Sequence, residues 1–233
     1  MTIYRIPEEQ HIFPPVSEAE PNGLLGVGGD LAPARLLHAY RSGIFPWYSR
    51  NQPILWFAPD PRFVLFPQEF KIQRSLKKIV KQNRFEIRIN TDFASVIDRC
   101  SVKPRPGQFG TWITDDMKVA YQELHKRKYS HSFEAYQDGK LVGGLYGIVT
   151  GSVFAGESMF ADVSNASKVA FVWAVHQMTK WGIKLIDCQV HTEHLERFGA
   201  REIPRVMFMH LLQIYSQETV MIGSDFDEGF YPL

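Results

Sequence analysis

The sequence predicts an α+β fold with an α/β-like core, in which a mixed sheet with flanking helices follows a small N-terminal domain. Three observations carry that prediction. The stretch 141–190 reads as strand, turn, strand, helix, strand, with short β-rich runs on either side of a Thr150-Gly151 turn. From residue 62 onward, β-rich runs alternate with segments of helical periodicity. The first sixty residues differ in texture, being rich in Pro, Gly and aromatics, as in Phe13-Pro-Pro, Gly43-Ile-Phe-Pro-Trp and Pro53-Ile-Leu-Trp-Phe. Residues 1–61 are therefore assigned to the small domain and residues 62–233 to the larger one.

In the N-terminal segment, Asp30 is placed to cap a short helix that carries Leu36, Leu37 and Tyr40 on one side and is closed by Gly43. Gly26-Val-Gly-Gly lacks the spacing and the lysine of a phosphate loop and follows no clear strand, so it is not read as one. Residues 62–66 read as a strand. Ile72, Leu76, Ile79 and Val80 then form an apolar helical stripe. Opposite it lie Arg74, Lys77, Lys78 and Lys81 at i, i+3, i+4 and i+7, with Lys71 and Arg84 at the ends. Like charges at such spacing repel by about 0.2–0.5 kcal/mol per pair. A solvated face usually includes acids and this one has none, which favours phosphate contact.

Residues 85–90 read as a strand, and Phe93, Val96, Ile97 and Cys100 stripe the next helix. Residues 101–110, with Lys103 and Arg105, are expected to be a mobile basic loop. Thr114 caps a helix that turns Met117, Ala120, Tyr121 and Leu124 inward. The strand 131–136 turns at Asp138-Gly139 into the central unit. There Ser164 or Asn165 caps a helix bearing Ala166, Val169, Ala170 and Trp173, Gly182 ends it, and 183–190 is a strand. A short helix near 194–198 and a last one at 204–215, with Pro204 at its start, complete the order.

Composition bounds the function. A chain of 233 residues, 45% hydrophobic and 22% charged, can bury a large core in the ordinary way of a globular protein. A net charge of +1 excludes a grossly basic nucleic-acid binder and leaves room for a local stripe. Cys100 and Cys188 are far apart and belong to no Cys-x-x-Cys pair, which argues against a disulfide framework or a thiolate metal site. Apolar runs fall short of a membrane span and the N-terminus lacks a signal-peptide core, so the expected location is cytoplasmic.

Polar residues in buried strands mark the candidate site: Glu157 in the second central strand, Asp187 and Gln189 in the third. Alternation puts Asp187 and Gln189 on one face and Cys188 on the other. A buried carboxylate satisfied by backbone donors is the structural alternative. No histidine is placed to activate Cys188, which reads as a small buried residue. Trp47 and Trp112 are flanked by loop-forming residues, favouring partly exposed stacking surfaces over core positions. His191, Glu193 and His194 lack a third convincing ligand, so no metal is assigned.

Pro21-Asn-Gly-Leu-Leu, Gly28-Gly-Asp-Leu, Gly43-Ile-Phe-Pro-Trp, Gly110-Thr-Trp-Ile-Thr, Gly156-Glu-Ser-Met-Phe, Asn165-Ala-Ser-Lys and Leu185-Ile-Asp-Cys-Gln together resemble the leucyl/phenylalanyl-tRNA–protein transferases, over about residues 12–215. The resemblance implies a GNAT-like acyltransferase domain behind the small N-terminal one. It implies transfer of Leu, Phe or Met from aminoacyl-tRNA, with Leu-tRNA and Phe-tRNA as partners and no cofactor. The acceptor would be the α-amine of proteins starting with Lys or Arg, and the product an N-degron that leads to protein degradation. Trp47 and Trp112 match aromatics that hold the aminoacylated 3′ adenosine, and Glu157 matches an acid contacting that nucleoside. Leu145, Phe154, Gly156, Met159 and Trp173 match the pocket for the amino-acid side chain, with Leu145 where relatives are expected to have Met and Trp173 where Phe is expected. Asp187 and Gln189 match the pair that handles the attacking amine. Arg74, Lys77, Lys78, Lys81 and Arg84 then read as the tRNA-binding set. The rival of the same fold, a coenzyme A dependent N-acyltransferase, needs a glycine-rich pyrophosphate loop before the central helix, where Ala161-Asp-Val-Ser-Asn lacks the glycines.

Overall fold

The computed structural model describes residues 3–103 and 111–223. Arg105 and Gly110, with the rest of the expected basic loop at 104–110, lie outside the described residues, as does the acidic tail from 224. Among the described residues no helix is long and apolar enough to cross a membrane.

The chain opens with β1 (Tyr4–Ile6), β2 (Leu24–Gly28), α1 (Pro33–Arg41), β3 (Phe45–Pro46) and β4 (Leu55–Phe57), whose strands form a sheet in the order β1-β2-β4-β3. The glycine-rich run is no phosphate loop, as expected, and as far as Gly28 it is itself strand: Gly26 lies so close to β1 that a Cβ would meet the Ile6 side chain at 2.7 Å. One expectation is corrected here. Asp30 does not cap α1, whose N-cap is Ala32. Its carboxylate accepts from Ala32 N at 2.8 Å and from Arg35 at 3.1 and 3.2 Å. Arg35 is wholly buried and also donates to the carbonyls of Pro7, Glu8 and Gln10, so a charge partner there outweighs a cap that Pro33, lacking an N–H, needs less.

The larger part contains β5 (Arg62–Leu65), α2 (Arg74–Lys81), β6 (Glu86–Ile89), α3 (Phe93–Val102), α4 (Asp115–Lys126), β7 (Ser130–Gln137) and β8 (Lys140–Thr150). Then come β9 (Val153–Ala161), α5 (Ala166–Trp181), β10 (Leu185–Gln189), α6 (Glu193–Glu196), β11 (Arg201–Ile203) and α7 (Arg205–Tyr215). Seven strands form one mixed sheet in the order β11-β5-β10-β9-β8-β7-β6, as the α+β class requires. Thr114 accepts from Met117 N at 3.3 Å to cap α4, and Gly182, at φ +91°, ends α5. Asn165 stands at the N-cap of α5 in a left-handed conformation, without a side-chain capping bond. The strand β11 was not anticipated, since three residues carry no period.

Each face of the large sheet is covered. On one, α5 and α2 pack Ala170, Val175 and Val80 against Phe133, Phe154 and Ile186. On the other, Tyr146, Ile148 and Phe160 meet α3 and α4 and also Leu25, Ile44 and Trp56 of the N-terminal segment, so the two sheets share one core.

The site follows from a single local feature of this sheet. β9 and β10 form its parallel pair, registered Leu185 to Val153, Ile186 to Phe154 and Asp187 to Ala155. Beyond that pair β9 continues to Ala161 while β10 leaves it, and a gap opens between them. Against β5, Asp187 pairs with Val64 and Gln189 with Phe63, so Cys188 is the extra residue of a bulge and Gln189 takes φ +66°.

Candidate active site

The gap where β9 and β10 part is a cavity of about 300 Å³. Leu145, Phe154, Met159, Phe171 and Ile186 supply apolar walls, Trp47 and Trp112 stand with Phe45 on the N-terminal side, and Glu157, Ser158, Gln189 and Thr192 add polar atoms. Both tryptophans are partly exposed, and the Trp47 ring meets Phe57 edge-on at 5.6 Å.

Glu157 is the carboxylate of this cavity, and both its oxygens are engaged. Tyr40 Oη on α1 donates to Oε1 at 2.8 Å, Tyr121 Oη on α4 to Oε2 at 3.1 Å, and Gln189 Nε2 to Oε1 at 2.8 Å. The two phenolic oxygens are 2.5 Å apart. Burial lifts the Glu157 carboxyl to a pKa of about 7; the three donors pull it down and the nearby Asp187 charge raises it further. Burial likewise drives both phenols well above the ordinary tyrosine value. Tied through its Nε2, the Gln189 amide keeps Oε1 as its acceptor side.

Asp187 is held differently. Arg62 Nε donates to Oδ1 at 2.8 Å and Nη2 to Oδ2 at 2.6 Å, a buried two-pronged pair. The guanidinium also sits over the rings of Phe45 at 4.8 Å and Phe208 at 4.6 Å. Gln189 N donates to Asp187 Oδ1 at 2.9 Å, so the carboxylate closes the bulge that aims Gln189.

Trp47, Trp112, Leu145, Phe154, Gly156, Glu157, Met159 and Gln189 thus line one cavity. Asp187 stands behind it, facing Arg62, because the bulge interrupts the alternation that was expected to put it on one face with Gln189. Cys188 lies opposite Asp187 as alternation requires and lines the cavity beside Ile186, whereas the bulge turns Gln189 into the cavity as well; burial pushes the Cys188 thiol pKa up, which makes it a poor nucleophile. Trp173 is outside the cavity and packs partly buried against the core, while Phe171 lines it. Residues two apart on a helix point about 200° apart, so one excludes the other. His191 hydrogen-bonds Glu196 at 3.3 Å and His194 lines the cavity wall. Arg74, Lys77, Lys78, Lys81 and Arg84 are exposed on or just after α2 and have no carboxylate partner among the described residues.

Sequence reasoning missed Arg62, Tyr40, Tyr121 and Phe171, and weighed His194 only as a metal ligand. A weak signal existed for Arg62, a charge at the first position of an otherwise apolar strand. None existed for the tyrosines, which match the apolar stripes of their helices.

The Leucyl/phenylalanyl-tRNA protein transferase family matches residues 64–213, and its N-terminal domain matches residues 29–60. A leucyl/phenylalanyl-tRNA–protein transferase of Saccharophagus degradans is 57% identical over 204 residues, 87% of this chain and 84% of that protein. One of Anaeromyxobacter sp. is 50% identical over 233 residues, 100% of this chain and 99% of its own. Among solved structures, L-PGS from Bacillus licheniformis overlaps 73% of this chain and 56% of its own at a TM-score of 0.40 and 9% identity. With half or more of its residues shared along nearly the whole length of such relatives, the chain belongs to the leucyl/phenylalanyl-tRNA–protein transferase family.

Proposed function

We propose that the chain is an aminoacyltransferase that moves Leu, Phe or Met from aminoacyl-tRNA to the N-terminal α-amine of proteins starting with Lys or Arg, creating an N-degron in the cytoplasm. The observation that carries this reading is one cavity combining apolar walls, two partly exposed tryptophans and the Glu157–Gln189 hydrogen bond. Leu145, Phe154, Met159 and Phe171 suit an apolar side chain, because Asp or Lys would be buried there without a charge partner. Trp47 and Trp112 suit stacking on the terminal adenine. The unpaired cations of α2 suit the backbone phosphates of the acceptor stem.

The reaction exchanges an ester for an amide, so the donor is already activated and the chemistry calls for no cofactor. An α-amine with pKa of about 7.7–8.0 costs about 1 kcal/mol to deprotonate at pH 7, a lysine ε-amine near 10.4 about 4.6 kcal/mol, which favours N-termini. The amine nitrogen attacks the ester carbonyl, the bond to the ribose 3′ oxygen breaks, and the amine's proton leaves to that oxygen by way of the neighbouring 2′ hydroxyl. Gln189 Oε1 accepts a hydrogen bond from the amine and aligns it. Asp187 is a positioning residue: with Arg62 on both its oxygens it holds the Gln189 bulge. Alignment of two bound reactants supplies most of the rate.

Incubation with labelled Leu-tRNA and an Arg-initiated peptide, with acetyl-CoA as competing donor, tests the reading. Label is expected as a new N-terminal residue. Acetyl transfer without aminoacyl transfer would sink it.

A further inference from the structure

Behind the aminoacyl cavity lies a second, smaller one, and His194 is a wall of both. Its other polar walls are Gln73 and Ser75 at the start of α2, Asn165 at the start of α5, Lys168 in the first turn of α5, and Arg197 just after α6. Its volume of about 60 Å³, about twice the share of one liquid water, is on the scale of one phosphate group and too small for a base.

Every charge in this lining is positive. Lys168 has no ion-pair partner among the described residues, and Arg197 is met by Glu193 at 3.6 Å in an exposed pair. His194 Nε2 is buried without a hydrogen-bond partner. Burial, then Lys168 and Arg197, hold that imidazole below its ordinary pKa, so the ring is neutral near pH 7 and can present Nε2 as an N–H donor. α5, sixteen residues long, and α2 both begin without a side-chain cap; Ala166 N is taken by the Val163 carbonyl at 3.1 Å, and the first-turn N–H groups that follow it, with those of α2, add to the positive field. Two cations, an unsatisfied buried ring nitrogen and two helix starts around one small cavity together make an anion site.

We propose that this cavity binds one backbone phosphate at the 3′ end of the donor RNA, that of the aminoacylated terminal nucleoside itself. The assignment rests on the aminoacyl-tRNA reading of the larger cavity. The 5′ phosphate of that nucleoside is one ribose away from the oxygen carrying the amino acid, and the two cavities are one side chain apart at His194. The unpaired cations of α2 begin directly beyond Gln73, so the amino acid, the first phosphate and the acceptor stem follow one continuous track. Lys168 and Arg197 thereby fix the ester in line with Gln189 instead of merely attracting RNA.

The test compares two small donors, 3′-leucyl adenosine with and without a 5′ phosphate, in the full-length protein and in the Lys168→Ala/Arg197→Ala variant, with a Lys168→Gln variant as the milder change and melting curves for all. In the wild type the 5′ phosphate should lower the donor KM about tenfold, as expected for a charge-assisted contact. In the double variant the ratio of the two KM values should fall to near one, with Lys168→Gln intermediate. Equal KM values for both donors in the wild type, or a ratio that survives in the double variant, would overturn the phosphate site and leave the aminoacyl cavity standing. Transfer from neither donor would overturn the larger reading, and the phosphate site with it.

Discussion

Asp187 and Glu157 lie in adjacent strands of one sheet, at 3% and 8% exposure, yet one is met by an arginine and the other by neutral donors alone. Around Asp187 the charge is matched: two short bonds from Arg62, whose guanidinium is flanked by Phe45 and Phe208. Around Glu157 it is not, and burial therefore moves its pKa to about 7. Two tyrosines and an amide soften that cost without cancelling it. A buried carboxylate with a guanidinium partner acts as a fixed strut, whereas one with only dipoles for company can change charge near neutral pH. Gln189 joins the two, giving its backbone N–H to the strut and its side-chain amide to the titrating group.

The largest effect expected from this contrast comes from removing the arginine. Arg62→Leu leaves Asp187 buried without its partner and should cost about 3–5 kcal/mol in urea unfolding. Arg62→Leu/Asp187→Leu should recover most of that stability, because no charge is stranded, while turnover stays low because the Gln189 N–H has lost its acceptor. A double variant as unstable as the single one would mean that packing, not charge, holds this corner.

On the other side of the comparison, Glu157 should make stability depend on pH. Its folded pKa of about 7 exceeds the ordinary 4.5, so between those values the folded state binds the extra proton. Stability is therefore fully supported below about pH 4.5 and falls as pH rises to about 7, by about 3 kcal/mol at 1.36 kcal/mol per pH unit. Glu157→Gln should flatten that slope; parallel curves for the two proteins between pH 4 and 8 would remove Glu157 as its source.

Gln189→Ala cuts the link between the two carboxylates at the reacting end. It should lower kcat about 10²-fold at saturating donor with little change in donor KM, as for loss of a group that acts in the transition state. A raised KM with kcat intact would make Gln189 a donor-binding residue. The smallest effect belongs to Tyr40→Phe, which deletes one donor to ionised Glu157. Followed through the Glu157 carboxyl carbon by NMR, the titration midpoint should move upward by about half to one pH unit, the worth of a single net hydrogen bond. A downward move would show that Tyr40 does not stabilise the charged form.

Local physics made a good part of this protein legible in its sequence. The period of apolar residues identified the helices and the long strands. Turn residues located the hairpin at Asp138-Gly139 and, one residue early, the one at Gly151-Ser152, where Thr150 still pairs with Val153; Thr114 and Gly182 supplied helix ends that depend on neighbours a few residues away. Glu157, Asp187 and Gln189 stood out because polar atoms in apolar strands are costly wherever the partners are. Which partner each received was not legible, since Arg62 is 125 positions from Asp187 and Tyr40 is 117 from Glu157. The two- and three-residue strands of the N-terminal sheet, and β11, exist through pairing with distant neighbours and show no period of their own. Asp30 was drawn from a capping position by the demand of buried Arg35. Alternation failed at Gln189 because the bulge at Cys188 is set by register against β5 and β9, and the choice of Phe171 over Trp173 depends on how α5 is rotated against the sheet. Periodicity, turns and caps are decided within a few residues of chain, whereas charge pairing, strand register and the facing of a cavity are decided through space.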